Sequence, residues 1–359
     1  MRALIFDSGL GGLSVFREVA ARLPELACVY AADTGFFPYG TKPADALVRR
    51  LPRLIAALAA RYRPDIAVIA CNTASTVALP PIRTALSIPV VGTVPAIKPA
   101  AAMSRRRAIG LLGTPGTVKR AYTDRLIDQF ADDCRVLRHG SAELVSLAEA
   151  KLRRGRVALD DVRAAVAPLW AGPGANEIDV VVLACTHFPL LRDELQAVFP
   201  ADVALIDSGA AIARRVAELI GGGEAQPGHH AQAPIAQAPI AQPHIAPGHV
   251  APAHIAVVTS EIQPVDSPAN CFEALGFRRV DLFDADASSS VSTSATVACR
   301  RARSRRSESL ARSGPVAGGP ARGVIAGPRP PAGAARNGRS HLHRRAARPG
   351  RPRAAKRGP

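Results

Sequence analysis

Twice in this 359-residue chain a cysteine directly follows an apolar run and precedes small hydrogen-bonding residues. The segments are Ile66-Ala-Val-Ile-Ala-Cys71-Asn72-Thr73 and Val180-Val-Val-Leu-Ala-Cys185-Thr186-His187. Each apolar run reads as a buried strand. A thiol at a strand end where a helix begins meets unpaired N–H groups and the positive end of the helix dipole, an environment that can lower a thiol pKa and make the thiolate available. The same N–H groups, with Ser8, Asn72, Thr73 and Thr186, would bind a carboxylate. Two thiols facing across a small anion suit one reaction above others. One takes a proton from carbon, the other returns a proton to the opposite face, and the stereocentre inverts. Taken singly, either cysteine also reads as a small buried hydrophobe; the matched pair is what favours chemistry. Cys28, Cys134, Cys271 and Cys299 lack this context and are read as structural or incidental. With no CxxC pair and no metal-ligand spacing, no metal site is expected.

A second echo lies upstream of each cysteine. Ala3-Leu-Ile-Phe-Asp7-Ser8-Gly9 and Ala108-Ile-Gly-Leu-Leu-Gly113-Thr114 both read as strand, then hydroxyl and glycine, then helix. Ser8 precedes Cys71 by 63 residues and Thr114 precedes Cys185 by 71. Two similar halves, each offering one cysteine to a shared crevice, account for both echoes. Asp7, at the strand tip, could tune a thiol, contact an amino group or cap the helix. The stretch Asp7–Ser14 matches a dinucleotide fingerprint only in part, since Ser14 stands where glycine is needed; Asp33 stands where a ribose-binding acid would. The glycines are better read as letting the backbone approach a smaller anion.

The elements that must position these residues alternate along the first 220 residues. Strand-like runs are Ala3–Phe6, Cys28–Ala32, Ile66–Ala70, Val90–Thr93, Ala108–Leu112, Val180–Ala184 and Val203–Ile206. Amphipathic helical stretches include Leu13–Leu23, Ala44–Arg61, Val118–Phe130, Ala158–Trp170 and Ala210–Ile220. The fold class expected is α/β: two similar domains with mostly parallel sheets covered by helices and the active site in the cleft between them. Domain 1 takes 1–97, completed by 207–221 and a weaker match over 255–283; domain 2 takes 98–206. A low-complexity Ala/Pro/Gln/His insertion occupies 222–254, with a five-residue period from Ala231. Its proline in every unit argues against helix and central strand. Its histidines could hold a metal weakly, but a solvated loop is the better reading.

The net charge of +17 suggests a nucleic-acid binder until it is located. From Cys299 to Pro359 there are 17 Lys and Arg against the single acid Glu308, leaving 29 basic and 28 acidic residues for 1–298. The basicity therefore belongs to a tail, 285–359, which is poor in large apolar residues and expected to be disordered. Nucleic acid is not an expected partner except through that tail. The apolar run at the N-terminus stops at Asp7, too short for a secretion signal. No apolar stretch suits a membrane helix. A cytoplasmic enzyme with reduced thiols and no membrane partner is the class expected.

Taken in order, FDSGLGGLSV (6–15), Ala32-Asp33 with PYGTK (38–42), ACNTAS (70–75), VGTVPAIKPA (91–100), GTPGTVKRAY (113–122), ACTHFPLL (184–191) and IDSG (206–209) resemble the glutamate racemases of the aspartate/glutamate racemase superfamily. The resemblance implies cofactor-independent interconversion of L- and D-glutamate, supplying peptidoglycan synthesis. It implies that Cys71 and Cys185 are the two acid–base groups, assisted by Asp7 and His187 respectively. It implies substrate contacts at Asp7, Ser8, Tyr39, Gly40, Asn72, Thr73, Thr186 and His187. Without it, Tyr39 reads equally as a packed loop aromatic and His187 as a helix cap. A further acid of the family matches Glu149 better than Glu143, although the usual proline before it is missing. An aspartate racemase would keep both cysteines, a one-thiol decarboxylase would lose one, and a homodimer is left open.

Overall fold

Nearly continuous apolar strands are stable only when helices cover both faces of their sheet. The chain meets that requirement twice. Its strands are β1 (Arg2–Asp7), β2 (Ala27–Ala32), β3 (Ile66–Ile69), β4 (Val90–Gly92), β5 (Ala108–Gly113), β6 (Arg135–Gly140), β7 (Val180–Ala184), β8 (Ala204–Ile206), β9 (His254–Val258) and β10 (Phe277–Leu282). They form a six-stranded sheet ordered β10-β9-β2-β1-β3-β4 and a four-stranded sheet ordered β6-β5-β7-β8. Every recorded pairing is parallel. The computed structural model describes residues 1–221, 253–260 and 269–285. All lie within one compact unit, Met1–Arg301, and the expected disordered tail lies outside the described residues apart from Ala285. The α/β class expected from the sequence is the one found.

The two sheets share a topology. In each, the first strand lies inside, the second pairs on one side, and the third crosses to the other. Thus β1 corresponds to β5 and β3 to β7. Ligands in open parallel sheets bind beyond the carboxyl ends of the strands where the winding reverses. Those ends carry Asp7 and Ser8 after β1, Thr114 after β5, Cys71 after β3 and Cys185 after β7. On one face of the larger sheet, Phe16 and Val19 pack with Ile212 and Val216. The last two come from helix Gly209–Ile220, which follows the smaller sheet and returns to the larger. Leu47, Leu51 and Ile55 cover the opposite face. The four-stranded sheet has its own pair of apolar layers, around Leu183 and Phe188 and around Ile97 and Val182.

Several elements depart from the sequence expectation. The stretch Val118–Phe130 is divided: a short turn Pro115–Val118 precedes helix Ala121–Phe130, because Arg120 between them is extended. Ala158–Trp170 is α-helical only over Leu159–Val166 and then tightens to a 3₁₀ turn. Strand β6 was not anticipated; it is a sheet edge whose polar Arg135, Arg138 and His139 hide the strand pattern. His254, expected inside the low-complexity insertion and among its histidines, is instead the first residue of β9. It is buried against Phe16 and Phe277, and its Nδ1 accepts the N–H of Cys28 at 3.1 Å. The four apolar residues that follow it, Ile255–Val258, and its place in a strand beside β2 outweigh the solvated reading at this one position. The other insertion histidines lie outside the described residues.

Because β9 lies between β2 and β10, a chain ending after Gly221 would uncover the edge of β2 and lose the apolar burial of Ala256, Val257 and Val258. It is expected to be insoluble or to unfold well below the full chain in a thermal melt. A chain ending after Ala285 keeps every described strand and is expected to match the full chain in melting temperature and activity.

Candidate active site

One small cavity, about 90 Å³, lies where the carboxyl ends of the two sheets meet. Ser8, Tyr39, Gly40, Cys71, Asn72 and Thr73 line it from the larger sheet's side, and Cys185, Thr186 and His187 from the smaller sheet's. Asp7 and Glu149, the other two expected site residues, are buried behind that lining. The cavity also contains Thr114, Phe37, Thr41, Val145 and Ser146, which the sequence reading did not put forward as site residues. Thr114 could have been found, since it occupies the position in the second sheet that Ser8 holds in the first. Phe37 had no such signal, and it sits beside His187 with ring centroids 5.8 Å apart.

Cys71 caps helix Asn72–Ala85, and the N–H of Ala74 donates to its Sγ at 3.5 Å. Its thiol in turn faces Ser8 Oγ at 3.7 Å. The helix N-terminus is therefore where the sequence put it, but the thiol pKa is not lowered. Burial, reinforced by nearby Asp7, pushes the Cys71 thiol up to about 12, against the N–H of Ala74 and the Ser8 hydroxyl. Desolvation of the charged form outweighs one helix terminus. Cys185 does not begin an α-helix at all; a 3₁₀ turn, Phe188–Leu191, intervenes before helix Arg192–Val198.

What Cys185 has instead is His187. Nδ1 of His187 lies 3.8 Å from Cys185 Sγ, while its Nε2 donates to Glu149 Oε1 at 2.8 Å. Burial disfavours the imidazolium, yet these two contacts overcome it and hold His187 well above its usual range. Glu149 is the converse: burial raises its carboxyl, but the His187 hydrogen bond and charge leave it below the usual value. Glu143, the alternative acid, spends its carboxylate on the Ser141 hydroxyl at 3.0 Å. Asp7 accepts from the N–H of Gly9 at 3.0 Å and from Thr186 Oγ1 at 3.2 Å. Burial still drives its carboxyl upward, against the charge of His187.

The glycines after Asp7 serve a different approach from the one expected. A Cβ on Gly11 would stand 2.3 Å from His187 Nδ1, so what the backbone there admits is an imidazole rather than a small anion. Gly40 likewise admits Thr114, 2.9 Å from where its Cβ would be. Asp33 is no ribose ligand, because Arg50, Tyr39 and Thr259 occupy its carboxylate. Cys28 is buried in β2, with its thiol pushed up to about 12 by burial, and Cys134 is half-buried; neither borders the cavity. Cys271 and Cys299 fall outside the described side chains. Among the described residues, no group of three or more His, Cys, Asp or Glu could hold a metal ion, and no helix is long and apolar enough to cross a membrane.

The family described as Asp/Glu/Hydantoin racemase matches residues 13–216. The chain is 56% identical over 219 residues to a glutamate racemase of Sphingopyxis alaskensis, covering 61% of this chain and 82% of that one. It is 54% identical over 217 residues to a glutamate racemase of Klebsiella pneumoniae, covering 60% and 76%. The crystal structure of Escherichia coli glutamate racemase with L-glutamate and the activator UDP-MurNAc-ala superposes with a TM-score of 0.66 at 43% identity, covering 78% of this chain and 96% of that one.

The buried Glu149–His187 pair makes stability depend on pH at both ends. His187 is raised above 6.5 in the fold, so its contribution is complete below about pH 6.5 and is lost as the pH rises through its folded value. Glu149 is lowered below 4.5, so its contribution is complete above about pH 4.5 and is lost as the pH falls through its folded value. Glu149→Gln is expected to cost about 3–5 kcal/mol in urea unfolding at neutral pH and to flatten both limbs of the profile.

Proposed function

The chain belongs to the Asp/Glu/Hydantoin racemase family and is an amino-acid racemase; on that premise we propose that it interconverts L- and D-glutamate by proton transfer between two thiols. We infer further that it acts in the cytoplasm and supplies D-glutamate for peptidoglycan. One observation carries the mechanism: Cys71 and Cys185 follow corresponding strands of the two sheets and line the same cavity. Inversion needs a group that removes the α-proton and another that delivers one to the opposite face.

The remaining lining supplies orientation. The Oδ1 of Asn72 is buried without a hydrogen-bond partner. An unpaired buried acceptor costs about 1–3 kcal/mol, a cost that a bound α-ammonium group removes. The hydroxyls of Ser8, Thr73, Thr114 and Thr186, with the first turn of helix Asn72–Ala85, supply donors for the carboxylates. Such fixed donors favour the negative charge that develops as the α-proton departs. Cys71, whose thiol is pushed up to about 12, holds its proton at neutral pH and starts as the acid. Cys185 takes the substrate proton, and His187, kept protonated beside it by Glu149, manages the proton on that side. Asp7 stands behind the other thiol, and its raised carboxyl can exchange a proton there. In the reverse direction the thiols exchange roles.

Racemisation is followed as loss of optical rotation from L-glutamate. Cys71→Ser and Cys185→Ser are each expected to lower kcat by about 10²–10⁴. Wild-type turnover in either variant would overturn the two-thiol mechanism. Turnover of L-aspartate as fast as that of L-glutamate would overturn the substrate assignment.

A further inference from the structure

Asp33 follows β2 and is completely buried, yet every hydrogen-bonding position of its carboxylate is filled. Arg50 grips it with both arms: Nε donates to Oδ2 at 2.8 Å and Nη2 to Oδ1 at 2.9 Å. Tyr39 donates its hydroxyl to Oδ2 at 2.5 Å, and Thr259 donates Oγ1–H to Oδ1 at 2.6 Å. Charge-assisted bonds of this kind are short and directional. Of the four groups, only Tyr39 borders the catalytic cavity. Five consecutive residues around it, Phe37 to Thr41, form one wall of that cavity.

Thr259 joins this wall to strand β9. It comes directly after β9, and its Oγ1 also accepts the N–H of Gly35 at 2.9 Å. Ser260 adds two bonds to Thr34 Oγ1, from its N–H at 3.1 Å and its hydroxyl at 2.8 Å. Residues that arrive after the low-complexity segment thus fix the loop that carries Tyr39. We propose that Asp33 is a positioning residue for racemisation that acts through the Tyr39 hydroxyl, with Thr259 as its anchor on the returning strand. The inference rests on the racemase reading above and deepens it.

The mechanism is geometric. The hydroxyl hydrogen of Tyr39 is committed to Asp33, so toward the cavity the phenol offers only a lone pair and a fixed ring edge. Burial and the Asp33 carboxylate hold the phenol well above its usual range, so it stays neutral and takes no part in proton transfer. Its work is to keep the wall that packs on Thr114 at one distance from the thiols, and misplacement of such a wall by about 1 Å can cost about 10²-fold in rate.

The test is a double-mutant cycle in the full chain. Asp33→Asn, which strips the charge from the acceptor, and Tyr39→Phe, which removes the donor, are each expected to lower kcat/KM about tenfold, and the double variant no more than about twofold further, because both act on the same bond. A role in stability alone would lower the active fraction by the same factor in either background, so losses that multiply to about a hundredfold would overturn the proposal. Full activity in Asp33→Asn would also overturn it. Should Asp33→Asn not fold, Thr259→Val, which is nearly isosteric and half-exposed, decides by the same comparison: a loss in the wild-type background that vanishes beside Tyr39→Phe supports the role, and an equal loss in both contradicts it. Turnover of glutamate by the wild-type chain tests the underlying reading separately, since it is independent of how the variant losses combine.

Discussion

A single carboxylate oxygen ties the two sheets together. Glu149 Oε1 accepts His187 Nε2 at 2.8 Å and the N–H of Leu10 at 3.0 Å. Leu10 lies in the turn after β1 of one sheet, and His187 in the turn after β7 of the other. A carboxylate buried this deeply would be costly without such partners, so the shared oxygen holds the two turns together. Around it, Ser14 Oγ donates to the carbonyl of Thr186 at 2.8 Å, and Thr186 Oγ1 to Asp7 at 3.2 Å. Across the cavity, Thr73 and Thr114 meet at 3.4 Å. With the sheets held at both sides, two thiols on separate sheets come to border one small space.

The two halves share a topology without sharing a chemistry. Cys71 has a helix N-terminus, a serine hydroxyl and a buried Asp7 at its back. Cys185 has the His187–Glu149 pair. The shared strand order gives both halves a strand end facing the crevice, while the neighbours differ, so each thiol sits in its own electrostatic environment. This asymmetry suits an enzyme whose substrate presents a carboxylate and an ammonium group to different sides of the same carbon.

Much of this arrangement was legible before the structure because it is local. A strand of unbroken apolar residues followed by Ala-Cys is visible in one short window, and its repetition is visible in two. The alternation that marks an α/β chain is equally plain. What was not legible depends on distance in space. Nothing in Leu144-Val-Ser-Leu-Ala-Glu149 says that its last carboxylate meets a histidine 38 residues later. Gly11 gives no sign of the imidazole it must admit. The rise in the Cys71 pKa was not legible because a sequence window shows the helix terminus but not the depth of burial that opposes it. Strand β6 was hidden because an edge strand can carry arginines. His254 was assigned to the wrong segment because it falls inside the last unit of the proline-rich repeat, Ala251–Ile255, while the sheet partner that claims it, β2, is more than 200 residues away. The net charge misleads for a related reason: a sum over the chain carries no information on where the charge lies, and the residues around the cavity carry little of it.

Opposed thiols, one for each face of the α-carbon, are the centre of this account. The most direct test is the early distribution of deuterium when L-glutamate is turned over in D₂O, read by mass spectrometry before appreciable conversion. With two separate proton-bearing groups, the D-glutamate formed should carry deuterium at Cα while the recovered L-glutamate still carries protium. Deuterium appearing equally in recovered substrate and product from the start would mean that one group serves both faces, and would contradict it.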